Sequence, residues 1–128
     1  MTIVLDTDAA SRLQKESLPD GHKELLEGEQ LAISFVTVGE LYKGAYKAQW
    51  GAARVTRLDN WLGRALVLEY EPSVGRVWGF ISAEVERIGR PVLANDLWVA
   101  ACCLAHDMPL MTFNRRDFEH VPDLRLLP

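Results

Sequence analysis

Short apolar runs alternate with helix-like segments along the whole chain. The apolar runs are rich in branched residues, as in Ile3-Val4-Leu5, whereas the segments between them repeat apolar residues at spacings of three and four. A run that is apolar throughout is typical of a strand buried on both faces, as in a parallel sheet covered by helices. The pattern therefore predicts an α/β fold with a parallel central sheet flanked by helices in three layers.

The predicted strands and helices cover most of the chain. In the clearest helix, Ser73 follows Pro72 as the expected N-cap, and Gly89 is expected to end the helix. The segment 95–106 is apolar nearly all round, which predicts a central, buried helix. We predict strands at 3–5, 31–34, 66–68, 110–112 and 124–127, and helices at 9–16, 22–27, 37–46, 49–62, 73–88, 95–106 and 114–118.

The length and composition are those expected of one globular domain spanning residues 1–128. The chain has 48% hydrophobic and 25% charged residues, and it contains no apolar run of the ~20 residues that a membrane span needs. The N-terminus lacks the basic segment of a signal peptide, and the adjacent Cys102 and Cys103 suit free thiols in a reducing compartment. We therefore expect a cytoplasmic protein without a membrane association.

Four carboxylates lie where an apolar run gives way to a helix signal: Asp6, Glu40, Asp96 and Asp117. In open α/β sheets the ligand crevice forms at the carboxyl ends of the strands, so acids placed there can converge from distant parts of the chain. Converged carboxylates repel one another unless a cation lies between them. The placement therefore favours a site for a divalent metal.

Each carboxylate also has a purely structural interpretation. Glu40 could complete a capping box with Thr37, and Asp117 could do the same with Asn114. Asp6 or Thr7 could cap the first helix, and Asp96 could complement the dipole of its helix at the first turn. Taken one at a time, these explanations stay open.

The four acids together favour a metal more than any one of them does. Asp6 follows a buried strand and Asp96 begins the most apolar helix, where a charge is costly to desolvate without a partner. No Lys or Arg lies beside Asp6 in the sequence, and none lies between Asp96 and Arg115. Oxygen ligands without soft ligands suit Mg²⁺ or Mn²⁺. Asp8 could add a further oxygen.

Four segments in order resemble the motifs of PIN-domain ribonucleases, and most closely those of VapC toxins from toxin–antitoxin pairs. The resemblance covers nearly the whole chain, and it rests on the order of the motifs rather than on any one of them. The segments are Leu5-Asp6-Thr7-Asp8, then 34–45 with Glu40, then 95–101 with Asp96, and 112–118 with Asp117.

The resemblance implies a PIN-like fold and a Mg²⁺-dependent endoribonuclease whose metal is held by the four acids. It implies that Thr112 and Asn114 support the site from behind the ligands, and it places Asp8 where the family commonly has Asn. It also implies an RNA substrate, with tRNA as one candidate, a cognate VapB-type antitoxin and a homodimer. Hydrolysis would proceed by an activated water, with the 3′-oxygen as leaving group.

Basic and aromatic residues supply candidates for binding RNA. Lys43 and Lys47 follow Glu40 along the same predicted helix, and Arg115 and Arg116 precede Asp117. These four cations could grip phosphates beside the acids, or they could be ordinary solvated surface charges. A separate pair, Trp50 and Trp61, is expected in the core or at a dimer interface, with a groove for a partner helix as the alternative.

Two other interpretations of the acids remain open from the sequence. Asp6-Thr7-Asp8 is similar to the nucleophile motif of haloacid-dehalogenase phosphatases, in which Asp6 would form an aspartyl-phosphate. A non-enzymatic receiver-like signalling domain has a similar length and acid pocket. A receiver would need a Lys after a late strand, where this chain has Phe113-Asn114.

Overall fold

A parallel four-stranded sheet forms the centre of the fold. The computed structural model describes residues 1–128. The strands β1 (Thr2–Leu5), β2 (Gln30–Ser34), β3 (Leu66–Leu68) and β4 (Leu110–Met111) are arranged in the order β3-β2-β1-β4. β1 is therefore central, with β2 on one side and β4 on the other, and both pairings are parallel.

Six α-helices cover the two faces of the sheet: α1 (Thr7–Gln14), α2 (Asp20–Leu26), α3 (Phe35–Lys47), α4 (Ala52–Arg64), α5 (Pro72–Arg87) and α6 (Ala94–Ala105). Successive residues of β1 point to opposite faces, as the strand period requires. Val4 packs in a core built with α5 and α6, whereas Ile3 and Leu5 pack in a second core with α1 to α4. The predicted three-layer α/β/α arrangement is confirmed.

α6 is the buried helix that the sequence predicts. Its residues Val99 to Cys103 are at most 2% exposed, and the two cysteines are free thiols. Burial raises the pKa of Cys102 to about 11 and also raises the pKa of Cys103, so neither thiol is a ready nucleophile. Although α6 is strongly apolar, no helix has the length and composition to cross a membrane.

Every helix begins one to three residues away from its predicted N-terminus, and the structure explains the shift clearly for α5 and α4. Glu71 occupies the N-cap position of α5 without a side-chain cap bond, and Pro72 lies in the first turn, so the predicted N-cap role of Ser73 is wrong. The fixed φ of proline suits the first helical position, which explains the earlier start. α4 begins at Ala52 rather than at residue 49, because Gln49 has a φ of 58° that ends the preceding helix. Trp50 therefore lies in the turn between α3 and α4.

The C-terminal segment is less regular than predicted. The predicted strand at 124–127 is reduced to one parallel bridge between Leu126 and Leu110. The predicted helix at 114–118 is a single 3₁₀ turn, Arg115–Asp117. Both segments are too short for a repeating hydrogen-bond ladder, and Phe118, which is buried in the α5/α6 core, holds the turn in place.

Candidate functional site

The carboxyl ends of three adjacent strands meet at one edge of the sheet. Asp6 follows β1, Ser34 ends β2 and Thr112 follows β4. β1 is the central strand, and the chain continues to β2 on one side of it and reaches β4 on the other. The edge is therefore a topological switch point, where open α/β sheets form their ligand crevice.

Asp6 is a buried carboxylate with both of its oxygens hydrogen-bonded. It is 5% exposed. One oxygen accepts from the backbone N–H of Ala9 at 2.9 Å, and the other accepts from the Thr112 hydroxyl. Burial raises the pKa of Asp6, while the bonds from Thr112 and Ala9 act in the opposite direction. These bonds fix the carboxylate in one orientation at the base of the crevice.

Glu40 lies at the end of a chain of hydroxyl groups. The Thr7 hydroxyl donates to Oε1 of Glu40 at 2.6 Å, which uses the only proton of Thr7. The Thr37 hydroxyl, 3.1 Å from that of Thr7, must then donate to it, and Ser34 donates to Thr37 at 3.4 Å. On its other oxygen Glu40 accepts from the Asn95 side chain at 3.4 Å. The network joins the ends of β1 and β2 and orients Glu40.

The structure separates the capping interpretations. Asp6 caps α1 through Ala9, as predicted, and Asp96 lies in the first turn of α6. The capping box of Thr37 with Glu40 is wrong, because Ser34 is the N-cap of α3 and receives the Thr37 N–H at 3.2 Å. Asn114 makes no side-chain cap bond, so the second box is wrong as well. Glu40 and Asp117 therefore do not serve as helix caps.

The four acids share one electrostatic environment. The pKa of Asp96 is raised to about 6, first by burial and then by the charges of Asp117, Glu40 and Asp6. Asp117 is exposed and does not line the cavity between the other three, yet its charge raises the pKa of Asp96 more than the charge of Glu40 or Asp6 does. The structure thus brings together acids that are separated by as many as 111 positions, from Asp6 to Asp117.

A cavity of about 430 Å³ lies over these groups. Asp6, Glu40 and Asp96 contribute its acidic wall, and no histidine or cysteine lines it. Asn114, which the resemblance places behind the ligands, lines the cavity as well, while its backbone N–H donates to the Thr112 hydroxyl at 2.9 Å. The cavity therefore offers oxygen ligands and no soft ones.

The donor set fits a hard divalent cation that keeps part of its water. None of the four acids forms an ion pair with Lys, Arg or His, which leaves the charge of the buried Asp6 without a cationic partner. As the side chains are set, no three carboxylates converge on one point. Mg²⁺ is usually held by one or two carboxylates plus waters, so a fully closed cage is not required.

Asp8 has a partner of its own. It accepts from Arg12 at 3.2 Å, one turn along α1. The Arg12 guanidinium also lies over the Phe113 ring, 4.1 Å from its centroid. Asp8 lines the cavity and adds to the negative potential that raises the pKa of Asp6, but Arg12 offsets part of its charge.

The four cations predicted to bind RNA are dispersed. Lys43 and Lys47 are exposed on α3 and do not line the acidic cavity. Arg115 donates to the backbone carbonyl of Leu127 at 2.9 Å, and Arg116 lines a different groove. Their role in binding RNA stays a prediction.

Several residues at the site were missed by the sequence reasoning. Thr7 and Asn95 bind Glu40, and Lys15 lines the cavity. Thr7 follows Asp6 and Asn95 precedes Asp96, so their position next to a predicted metal ligand could have identified them. Lys15 had no such signal, because only the packing of α1 against α3 brings its part of α1 towards the cavity.

Comparisons with known proteins agree with this architecture. The family model described as "PIN domain" matches residues 3–124. The chain is 32% identical to Ribonuclease VapC2 of Haemophilus influenzae over 96 residues, which cover 75% of this chain and 73% of that protein. It is 34% identical to the tRNA(fMet)-specific endonuclease VapC of Shigella flexneri over the same shares of both chains.

A solved structure extends the similarity to the whole fold. VapBC-1 from nontypeable Haemophilus influenzae superposes with a TM-score of 0.87 at 27% identity, covering 99% of this chain and 97% of that one. The matches support the nuclease interpretation of the acids over the phosphatase and receiver interpretations. The chain belongs to the PIN-domain family and, within it, to the VapC-type ribonucleases.

Proposed function

We propose that this protein is a Mg²⁺-dependent endoribonuclease, acting as the toxin of a toxin–antitoxin pair. The observation that carries the proposal is the position of Asp6, Glu40 and Asp96 on one cavity wall without ion-pair partners. The three come from the end of β1, from α3 and from the first turn of α6. Family membership supplies the reaction, which is the cleavage of RNA phosphodiester bonds.

The protein's own groups have separate roles in this reaction. Asp6, held by Thr112 and Ala9, would hold the cation together with Glu40 and Asp96, which line the same cavity. Asp117 would add negative potential from outside the cavity. A divalent cation there would act as a Lewis acid that lowers the pKa of water and neutralises charge developing on the phosphate. Because no imidazole lines the cavity, water rather than the ribose 2′-hydroxyl is the expected nucleophile.

We propose tRNA as the first substrate class to test, and a VapB-type antitoxin as the partner that inhibits cleavage. The name of the Shigella flexneri relative supports tRNA, and the VapBC-1 structure supports the partner. A homodimer is part of the same proposal and rests on the family resemblance. Mn²⁺ should replace Mg²⁺, since the two ions accept similar oxygen ligands.

The test uses the purified protein, Mg²⁺ and a complete cellular RNA pool. Cleavage of tRNA at one position by the wild-type protein, and none by Asp96→Asn, is the expected result. Failure of the wild-type protein to cut any RNA in the pool, with Mg²⁺ or Mn²⁺, would overturn the proposal. Adding a VapB-type partner in stoichiometric amount should stop the cleavage.

Thr7→Val is predicted to weaken metal binding through Glu40. Valine keeps the shape of threonine but removes the hydroxyl that donates to Glu40 at 2.6 Å. Loss of such a supporting bond typically lowers metal affinity by about tenfold or more. The Mg²⁺ concentration for half-maximal cleavage should rise by about the same factor. The control variant Thr7→Ser keeps the hydroxyl and should need the same Mg²⁺ concentration as the wild-type protein. An unchanged Mg²⁺ dependence in Thr7→Val would show that Thr7 does not position Glu40.

A further inference from the structure

A groove lined by cations continues outward from the acidic cavity. It has a volume of about 410 Å³, and it shares Gln14, Lys15 and Trp50 with the acidic cavity, so the two are contiguous. We call it the basic groove. It is lined by Gln14, Lys15, Glu16, Trp50, Arg54 and Arg57.

The cations of the basic groove have no carboxylate partners. The ion pairs of the protein involve Arg12, Arg87 and Arg125 together with the N-terminus and a histidine. Lys15, Arg54 and Arg57 are in none of them. In a chain with 18 acidic and 14 basic residues, three unpaired cations beside the single carboxylate of Glu16 reverse the overall charge locally.

Trp50 holds one of these cations in a defined position. The Arg54 guanidinium lies over the indole ring at 4.0 Å from its centroid, and the Lys15 ammonium lies 5.7 Å from the same centroid. A stacked guanidinium keeps the N–H groups at its edge free, which is the arrangement that binds a phosphate through two bonds. The indole therefore pre-orients Arg54 for an anion.

The position of Arg54 on α4 also costs stability. Arg54 lies in the first turn of α4, where no acidic residue is present. A cation at the positive end of a helix dipole is unfavourable. Arg54, Arg57 and the helix end together concentrate positive potential in the groove, and an anion bound there would offset the repulsion.

We infer that the basic groove binds the phosphates of the RNA strand next to the bond that is cut. The inference rests on the proposed function, because an RNA strand whose cleaved phosphate lies over the acids must leave the cavity along some path. The basic groove is contiguous with that cavity and has the charge that a phosphate backbone requires. An acidic peptide is the competing occupant.

The test measures RNA binding in the Asp6→Asn background, so that its outcome does not depend on cleavage. The double variant Arg54→Ala/Arg57→Ala should lower the slope of log affinity against log salt by about 1.4, since each single-strand phosphate contact contributes about 0.7. The control is Arg76→Ala/Arg87→Ala on α5, which removes the same charge from exposed positions elsewhere. The control should leave the slope unchanged.

The outcomes distinguish the groove from its alternatives. An unchanged slope in the Arg54/Arg57 variant, or an equal change in the α5 control, would overturn the inference. The inference would also be overturned if the Arg54/Arg57 variant bound RNA normally but no longer bound an acidic peptide. Thermal unfolding of each variant checks that the fold is retained. In the protein with Asp6 intact, the Arg54→Ala/Arg57→Ala substitutions should raise the KM for RNA about tenfold. If the wild-type protein cleaves no RNA, the proposed function is refuted, whatever the binding data show for the groove.

Discussion

Asp6→Asn is expected to reduce RNA cleavage by about a thousandfold. Asp6 is the most buried of the four acids, and it is aimed at the crevice by Thr112 and Ala9. Asparagine has the same shape but no charge, so it should bind a divalent cation poorly. Its side-chain oxygen can still accept from Ala9 and cap α1, because Asn is as good an N-cap as Asp. The variant should therefore lose its activity but keep its folding stability.

Thermal unfolding distinguishes a lost ligand from a damaged fold. Burial raises the pKa of Asp6, which means that the charged form is disfavoured in the folded protein. Removing this charge should leave the Tm of the metal-free protein unchanged or higher. The matched control is Asp123→Asn at an exposed position with a φ of 63°, which Asn tolerates. Retention of cleavage in Asp6→Asn would contradict the assigned role.

Mg²⁺ is expected to raise the Tm of the wild-type protein more at about pH 7.5 than at about pH 5.5, and its removal by a chelator should abolish cleavage. The reason is Asp96, whose pKa rises from 3.8 to about 6 in the folded protein. A proton on Asp96 competes with the cation at the lower pH. The Asp6→Asn variant should show little Mg²⁺-dependent change in Tm at either pH.

The direction of the pH effect follows from proton linkage. Between about pH 4 and pH 6 the folded protein binds more protons at Asp96 than the unfolded chain does, so metal-free stability falls as pH rises through that window. The full shift would correspond to about 3 kcal/mol, which solvent screening reduces to about 1 kcal/mol. The Tm of the metal-free protein should therefore be a few degrees lower at the upper end of this pH window than at its lower end. An equal Mg²⁺ effect at both pH values would contradict this coupling.

The fold and the meeting of Asp6, Glu40 and Asp96 at one cavity could be predicted because their signals are local. Buried parallel strands are apolar throughout, and helices reveal themselves by periodicity, so the order of elements is readable from the chain. Asp6 and Asp96 could be placed at the edge of the sheet because they adjoin such elements. The ordered motifs then identified the family.

The details that failed depend on competition between nearby signals. Phe35-Val36-Thr37 has the branched and aromatic residues of a strand, yet it forms the first turn of α3 because Ser34 caps it. If α3 began at Thr37, Glu40 would serve in a capping box. Because α3 begins at Phe35, Glu40 is free to accept a hydrogen bond from Thr7. The basic groove was not predictable, because Lys15 and Arg54 are distant in sequence and meet only through the packing of α1 and α4 beside Trp50.

The chemistry of the cleaved ends tests metal-dependent hydrolysis by these carboxylates most directly. If carboxylates and a cation activate water, cleavage in ¹⁸O-labelled water should give a 3′-hydroxyl and a 5′-phosphate that carries the label. Asp6→Asn should form neither product at a measurable rate. Fragments that end in a 2′,3′-cyclic phosphate would show that the ribose 2′-hydroxyl is the nucleophile, and they would contradict metal-dependent hydrolysis at this site.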